Sequence, residues 1–145
     1  GNNNSEILVF VKTDAYKIYL SNVPVHSAND FGLYLPTHLK IRSVNIKGYG
    51  IINDKSKYML IEYDNMKIAK ININSYKTSA KRTKLENSLF AGAGVKNITT
   101  LFDDVVLELK WKNKTTMYST SNMKVKSSRN SQGVTVRYET LKIKE

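Results

Sequence analysis

HLKIRSVNIKGYGIINDKSKYMLIEYDNMKIAKININ, residues 38–74, is the stretch that decides the fold. It is the densest run of β-branched and aromatic residues in the chain, cut by two polar segments, Asn53 to Ser56 and Asp64-Asn65. Such side chains suit a pleated, half-buried surface, and Asn, Asp and Ser clusters mark turns. The stretch predicts three consecutive strands: one from Leu39, one over Tyr58 to Tyr63 and one over Met66 to Asn74. In the first, the apolar phase moves from Leu39, Ile41 and Ser43 to Val44 and Ile46. A period of two cannot change face without an extra residue, so a bulge or bend is expected near Ser43-Val44. Gly48 and Gly50 flank Tyr49 and strip one face of side chains, which allows close backbone approach or a kink. These features predict that the first strand turns a sandwich corner or serves two layers. Tyr49 is a candidate contact residue, with a place in the core as the favoured competing reading.

Working outward, Glu6 to Lys12 is apolar on both faces, as an interior strand covered on both sides should be. Thr13-Asp14 is a turn candidate, and Ala15 to Leu20 alternates, so the two segments predict a hairpin. Ser21 to Thr37 carries both prolines and reads as an irregular surface connection. It supplies two further candidate contacts, Phe31 and Tyr34. Downstream, Ser75 to Phe102 is the least strand-like region. Leu85 and Leu89 lie four apart, Ser79 suits an N-cap and Gly92 follows, which predicts a short helix near residues 79–91. Lys81, Arg82 and Lys84 in its first turn oppose the helix dipole, so an ordered basic loop is the competing reading.

Asp103 to Lys112 is the cleanest amphipathic strand, with Val105, Leu107, Leu109 and Trp111 on one face. Asn113-Lys114 turns it into a strand over Thr115 to Thr120. Ser127 to Gly133 reads as a polar, mobile loop. Val134, Val136 and Tyr138 point inward, then the phase slips to Leu141 and Ile143, which predicts a second bulge near Thr140. The sum is an all-β chain: an antiparallel β-sandwich, Ig-like or jelly-roll-like, of about eight or nine strands with at most one short helix. Residues 6–145 make a single domain behind a polar N-terminal spacer, residues 1–5, of which Gly1 is set aside as an added residue. A start without Met and the run Asn2-Asn3-Asn4-Ser5 suggest a removed export signal or lipoprotein leader, hence anchoring to a membrane through that leader. No apolar run reaches the ~18 residues of a bilayer span.

There is no cysteine, which excludes a disulfide framework and thiolate chemistry. The net charge of +11, from 23 Lys and Arg against 12 Asp and Glu, raises the expectation of an anionic partner. The abundance of Lys, Asn, Ile and Tyr together is also what an AT-rich genome produces. Catalytic signals are lacking. The two histidines, His26 and His38, read as surface or capping residues, with no carboxylates at metal-ligand spacing. Asp103 and Asp104 are adjacent, and neighbours on a strand point to opposite faces, so they form no dyad. Gly92-Ala93-Gly94-Val95-Lys96 lacks the G-K-[ST] ending of a phosphate loop. No catalytic, cofactor-binding or metal residue is therefore assigned. The expectation is a non-enzymatic binding or envelope-assembly module, extracytoplasmic, with a protein or glycan partner. The alternative is a polyanion or nucleic-acid binder using the basic patch Lys77, Lys81, Arg82 and Lys84, with tyrosines nearby for stacking.

Overall fold

The computed structural model describes residues 6–19, 46–78 and 83–144. They form twelve strands: β1 (Glu6–Val11), β2 (Asp14–Tyr19), β3 (Ile46–Ile52), β4 (Tyr58–Tyr63), β5 (Lys67–Asn72), β6 (Lys84–Leu85), β7 (Val95–Leu101), β8 (Val106–Trp111), β9 (Lys114–Ser119), β10 (Val125–Lys126), β11 (Val134–Thr135) and β12 (Thr140–Ile143). Short 3-10 turns at Ile73–Tyr76 and Thr120–Asn122 are the only helical pieces among the described residues. The chain is an all-β, sandwich-like protein, as expected. The count exceeds eight or nine because β6, β10 and β11 are two-residue strands.

The strands sort into three sheets. The first runs β3-β1-β2-β6, the second β10-β5-β4-β7 with β11 also on β5, and the third β12-β8-β9. Pairing is antiparallel except for β10 on β5. One core, with Leu8, Phe10, Met59, Ile61, Tyr63 and Ile71, lies between the first and second sheets. The other, with Leu60, Ile68, Leu107, Leu109, Val136 and Tyr138, lies between the second and third. The second sheet is thus a middle layer covered on both sides. Its strand β4 sends Met59, Ile61 and Tyr63 one way and Leu60 and Glu62 the other, and all five are buried. This is why YMLIEY lacks a polar face. In the first sheet β1 is likewise buried along nearly its whole length.

The stretch over residues 38–74 is divided between two sheets. β3 pairs with β1, whereas β4 and β5 pair with each other in the middle sheet. The chain crosses between layers at the Asn53–Ser56 turn, where the Ser56 N–H donates to the Asn53 carbonyl at 3.1 Å and the Lys55 N–H to Asn53 Oδ1 at 2.9 Å. The bulge expected at Ser43-Val44 lies outside the described residues. Register shifts do occur beside it. Phe10 faces Gly48 and Val11 faces Ile46, leaving Lys47 as the extra residue of β3. Glu62 faces Asn97 and Tyr63 faces Val95, leaving Lys96 as the extra residue of β7.

The glycines of β3 allow the close approach anticipated for them. A Cβ on Gly48 would lie 2.9 Å from Ile98 Cδ1, and one on Gly50 would lie 2.8 Å from Met59 Cε. Gly50 also faces Thr100, so β3 and β7 run side by side in the same direction.

Three expectations are corrected. Residues 83–91 hold β6 and turns rather than helix; Leu85 pairs with Ala15 of β2, and Asn87 has φ 52, which ends any helical path. The phase slip near Thr140 is a change of sheet, not a bulge: the Val136 N–H still bonds Met66 of the middle layer at 2.8 Å, and the Glu139 N–H already bonds Lys110 of the third sheet at 2.6 Å. The first hairpin turns at Lys12-Thr13, with Lys12 at φ 55, one residue earlier than read.

Gly133, at φ +82, enters β11 with its Cα so close to β5 that a Cβ would lie 2.0 Å from the Ile68 carbonyl oxygen. Gly133→Ala should therefore cost about 3 kcal/mol, lowering Tm by roughly 10 °C in thermal melts. Two buried tyrosines should respond in opposite directions to loss of the hydroxyl. Tyr76 is buried against Phe10, ring edge to face, and its hydroxyl has no hydrogen-bond partner among the described residues. Tyr138 donates to Glu62 Oε1 at 2.8 Å. In urea unfolding, Tyr76→Phe should be neutral or stabilise by up to about 1 kcal/mol, and Tyr138→Phe should destabilise by about 1–3 kcal/mol.

Candidate functional site

The sequence-derived candidates fall unevenly on the structure. Phe31, Tyr34, Lys81, Arg82 and both histidines lie outside the described residues. Tyr49 is on β3, Lys77 follows the first 3-10 turn and Lys84 is on β6. Lys84 Nζ lies 3.9 Å from Asp14 Oδ2, and Lys77 lines a 70 Å³ cavity that also holds Glu6 and Asp54. Carboxylates are therefore interleaved with this basic segment.

Tyr49 belongs to a larger feature. Gly48 and Gly50 face the first core, so Tyr49 and Ile51 point to the opposite side of the first sheet, across from Val9 and Ile7 of β1. Tyr49 is 39% exposed and Ile51 54%, and Phe102, just beyond β7, is 55% exposed. Burying each such side chain fully would yield about 1.5–3 kcal/mol. All three instead border one open groove of about 410 Å³, together with Asn53, Ile98, Thr99 and Thr100. Its walls are β3 and β7, the edges of the first and middle sheets among the described residues. Ile51 and Phe102 carry no local pattern that distinguishes them from core residues, and only the tertiary edge reveals them.

Two buried polar clusters test for chemistry. In the second core, Lys70 is 3% exposed, and its ammonium donates to Asp104 Oδ1 at 2.6 Å and to the Thr120 carbonyl at 2.9 Å. The Thr120 hydroxyl donates to the same carboxylate oxygen at 2.8 Å and accepts from the Val105 N–H at 2.9 Å. Tyr58 lies under the ammonium, 4.2 Å from ring centre to Nζ. The hydrogen bond from Lys70 is the largest cause holding the Asp104 carboxyl below its usual range, and the Thr120 hydroxyl adds to it. A carboxylate this well bonded is a poor general base. Its neighbour Asp103 turns away toward Lys57 at 3.9 Å, so the two acids do not converge. The second cluster is Glu62 with Tyr138, over whose ring Lys96 Nζ sits at 4.5 Å. Burial, then the bond to Glu62, pushes the Tyr138 hydroxyl well above the ordinary phenol value. It donates to the carboxylate and stays protonated. Both clusters tie strands together.

The glycine loop resembling a phosphate cradle is occupied from within: the Gly94 N–H donates to Asp64 Oδ1 at 3.0 Å, and the Asp64 N–H donates to the Gly94 carbonyl at 2.9 Å. Ser127 to Gly133, read as mobile, is pinned by Arg129. Its guanidinium donates to Ser88 Oγ at 3.1 Å, the Ser75 carbonyl at 2.8 Å and the Glu86 carbonyl at 2.8 Å. Among the described residues no three His, Cys, Asp or Glu side chains gather as metal ligands, and no helix is long and apolar enough to cross a membrane. No protein-family model matches the chain, and no curated protein matches it in sequence.

Asp104 generates a pH prediction. Its folded carboxyl titrates lower than in the unfolded chain, so its contribution is complete above about pH 4 and disappears as pH falls through the lower folded value. Urea unfolding from pH 7 to pH 2 should show an acid limb that Asp104→Asn flattens, with the variant already less stable at pH 7. An unchanged acid limb would remove Asp104 from the account.

Proposed function

We propose that this chain is a non-enzymatic binding module, acting outside the cytoplasm in the cell envelope or after secretion. It captures an extended segment of a partner protein in the groove between β3 and β7. The observation that carries this reading is the grouping of Tyr49, Ile51 and Phe102 around one open groove bounded by β3 and β7, the edge strands of their sheets among the described residues. Edge strands are templates for an added strand, whose backbone supplies affinity while flanking pockets select side chains. Aromatic and branched apolar residues at the centre of a contact carry most of its energy. A glycan is the competing occupant, since Asn53, Thr99 and Thr100 offer polar groups beside the aromatic rings. The polyanion reading at Lys77 to Lys84 has less support, because Asp14 stands beside Lys84.

A display library of extended peptides and a glycan array, both screened against the folded chain, separate the two occupants. Peptides selected by the wild type should lose at least about tenfold in affinity with Ile51→Ser or Phe102→Ser. Neither exposed position should move Tm by more than a degree or two. Peptides indifferent to both substitutions, or selection of glycans alone, would reject the groove as a protein site. Fractionation of cells making the full reading frame tests location, and recovery in the cytoplasm would refute that part.

A further inference from the structure

The outer face of the third sheet carries a second surface, independent of the groove. Leu107, Leu109, Leu141 and Ile143 point into the second core, so Val106, Glu108, Lys110, Met117, Thr140 and Lys142 point away from it. Met117 is 50% exposed and Val106 37%, and the register makes them diagonal neighbours on one face. Lys110 and Lys142 flank them, Lys144 continues the alternation, and Lys112 and Lys114 stand at the hairpin tip, where Lys112 and Asn113 both take positive φ. Among the described residues none of these five lysines has a carboxylate within 4.0 Å, although Glu108 shares the face. Glu139 is engaged by the Lys112 N–H at 2.7 Å.

We infer that this face docks on the headgroups of an anionic phospholipid surface, with the lysines at the phosphates and Val106 and Met117 entering the interface. Charge complementarity and the position of the apolar pair carry the choice. A three-stranded sheet offers a broad face to a plane, and its cations are lysines, point charges without the planar fork that selects individual phosphates. Clusters of four to eight such residues suit anionic membrane surfaces. A hydrated polyanion makes no use of exposed Met and Val, whereas a bilayer interface does. Single-stranded nucleic acid requires rings on the same face. Trp111 has the opposite parity, and Lys112 Nζ lies 5.4 Å from its ring centre.

The test is co-sedimentation of the whole chain with vesicles of phosphatidylcholine containing about one part in three phosphatidylserine. Binding should be strong at low salt, fall steeply as salt rises and be absent on pure phosphatidylcholine. Lys110→Glu/Lys142→Glu should weaken it by on the order of a hundredfold. Met117→Ser should weaken it a few-fold without changing the salt dependence. Lys77→Glu/Lys84→Glu makes the same change in net charge elsewhere and should have a much smaller effect. Equal losses from the two double variants would reduce the effect to net charge and overturn the proposal. So would binding to pure phosphatidylcholine, or preference for heparin or single-stranded DNA over the vesicles at equal salt. Ile51→Ser should leave vesicle binding intact, so failure here and failure of the groove are read separately.

Discussion

A sheet covered on both faces sets the terms for this fold. β4 and β5 bury side chains upward and downward, and the described part of the chain contains no α-helix with which to cover them. Other sheets must do so, and the strands sort into an outer, a middle and another outer layer. The face toward the first core is apolar: Met59, Ile61, Tyr63, Ala69 and Ile71. The face toward the second carries two buried charged residues, Glu62 and Lys70. Each is met by a segment from beyond Leu101: Glu62 by the Tyr138 hydroxyl, Lys70 by Asp104 and Thr120. A buried charge left unpaired costs several kcal/mol, while a paired one contributes little net stability. Their use here is to fix where the third sheet and its flanking turns lie on the middle layer. A slip by one residue would turn Glu62 and Lys70 into the first core and away from Tyr138, Asp104 and Thr120.

What the sequence reveals follows from what periodicity can encode. β1 was legible because a strand buried on both sides leaves an unbroken apolar run, and β4 because Glu62 alone interrupts its aromatic and aliphatic residues. The faces of β8 were legible because one side meets water. Periodicity reports a face, never a neighbour. The separation of β3 from β4 and β5 into different sheets, made at Asn53–Ser56, was therefore read only as a turn, and the break between Tyr138 and Leu141 looked like a bulge. Leu85 and Leu89 do reach the first core, but through β6 and a turn; spacing by four cannot distinguish that route from a helix. Tyr49 stood out because two glycines isolate it. Ile51 and Phe102 did not, because an apolar residue at an edge reads like one in the core. The basic segment from Lys77 to Lys84 drew notice for being dense in sequence, whereas Lys110 and Lys142 lie far apart along the chain and come together only through the pairing of β8 with β12.

The groove has a polarity that follows from edge protection. β3 and β7 run the same way, and each carries its bulge near its start, with an exposed lysine as the extra residue, Lys47 and Lys96. Bulges and lysines are the usual means by which a sheet edge discourages a second sheet from joining it. Both therefore blunt the same end of the paired edges. Past Gly48 and Asn97 the pairing is regular, and the edges are lined by Tyr49, Ile51 and Phe102. An edge left sticky throughout would pair with copies of itself, and one blunted throughout would bind nothing. On the proposed reading, blunting one end would confine strand addition to a short segment of β3 and β7. The net charge of +11 opposes self-association there, so in the proposed docking a short extended segment from another chain would meet less competition than a second copy of this one.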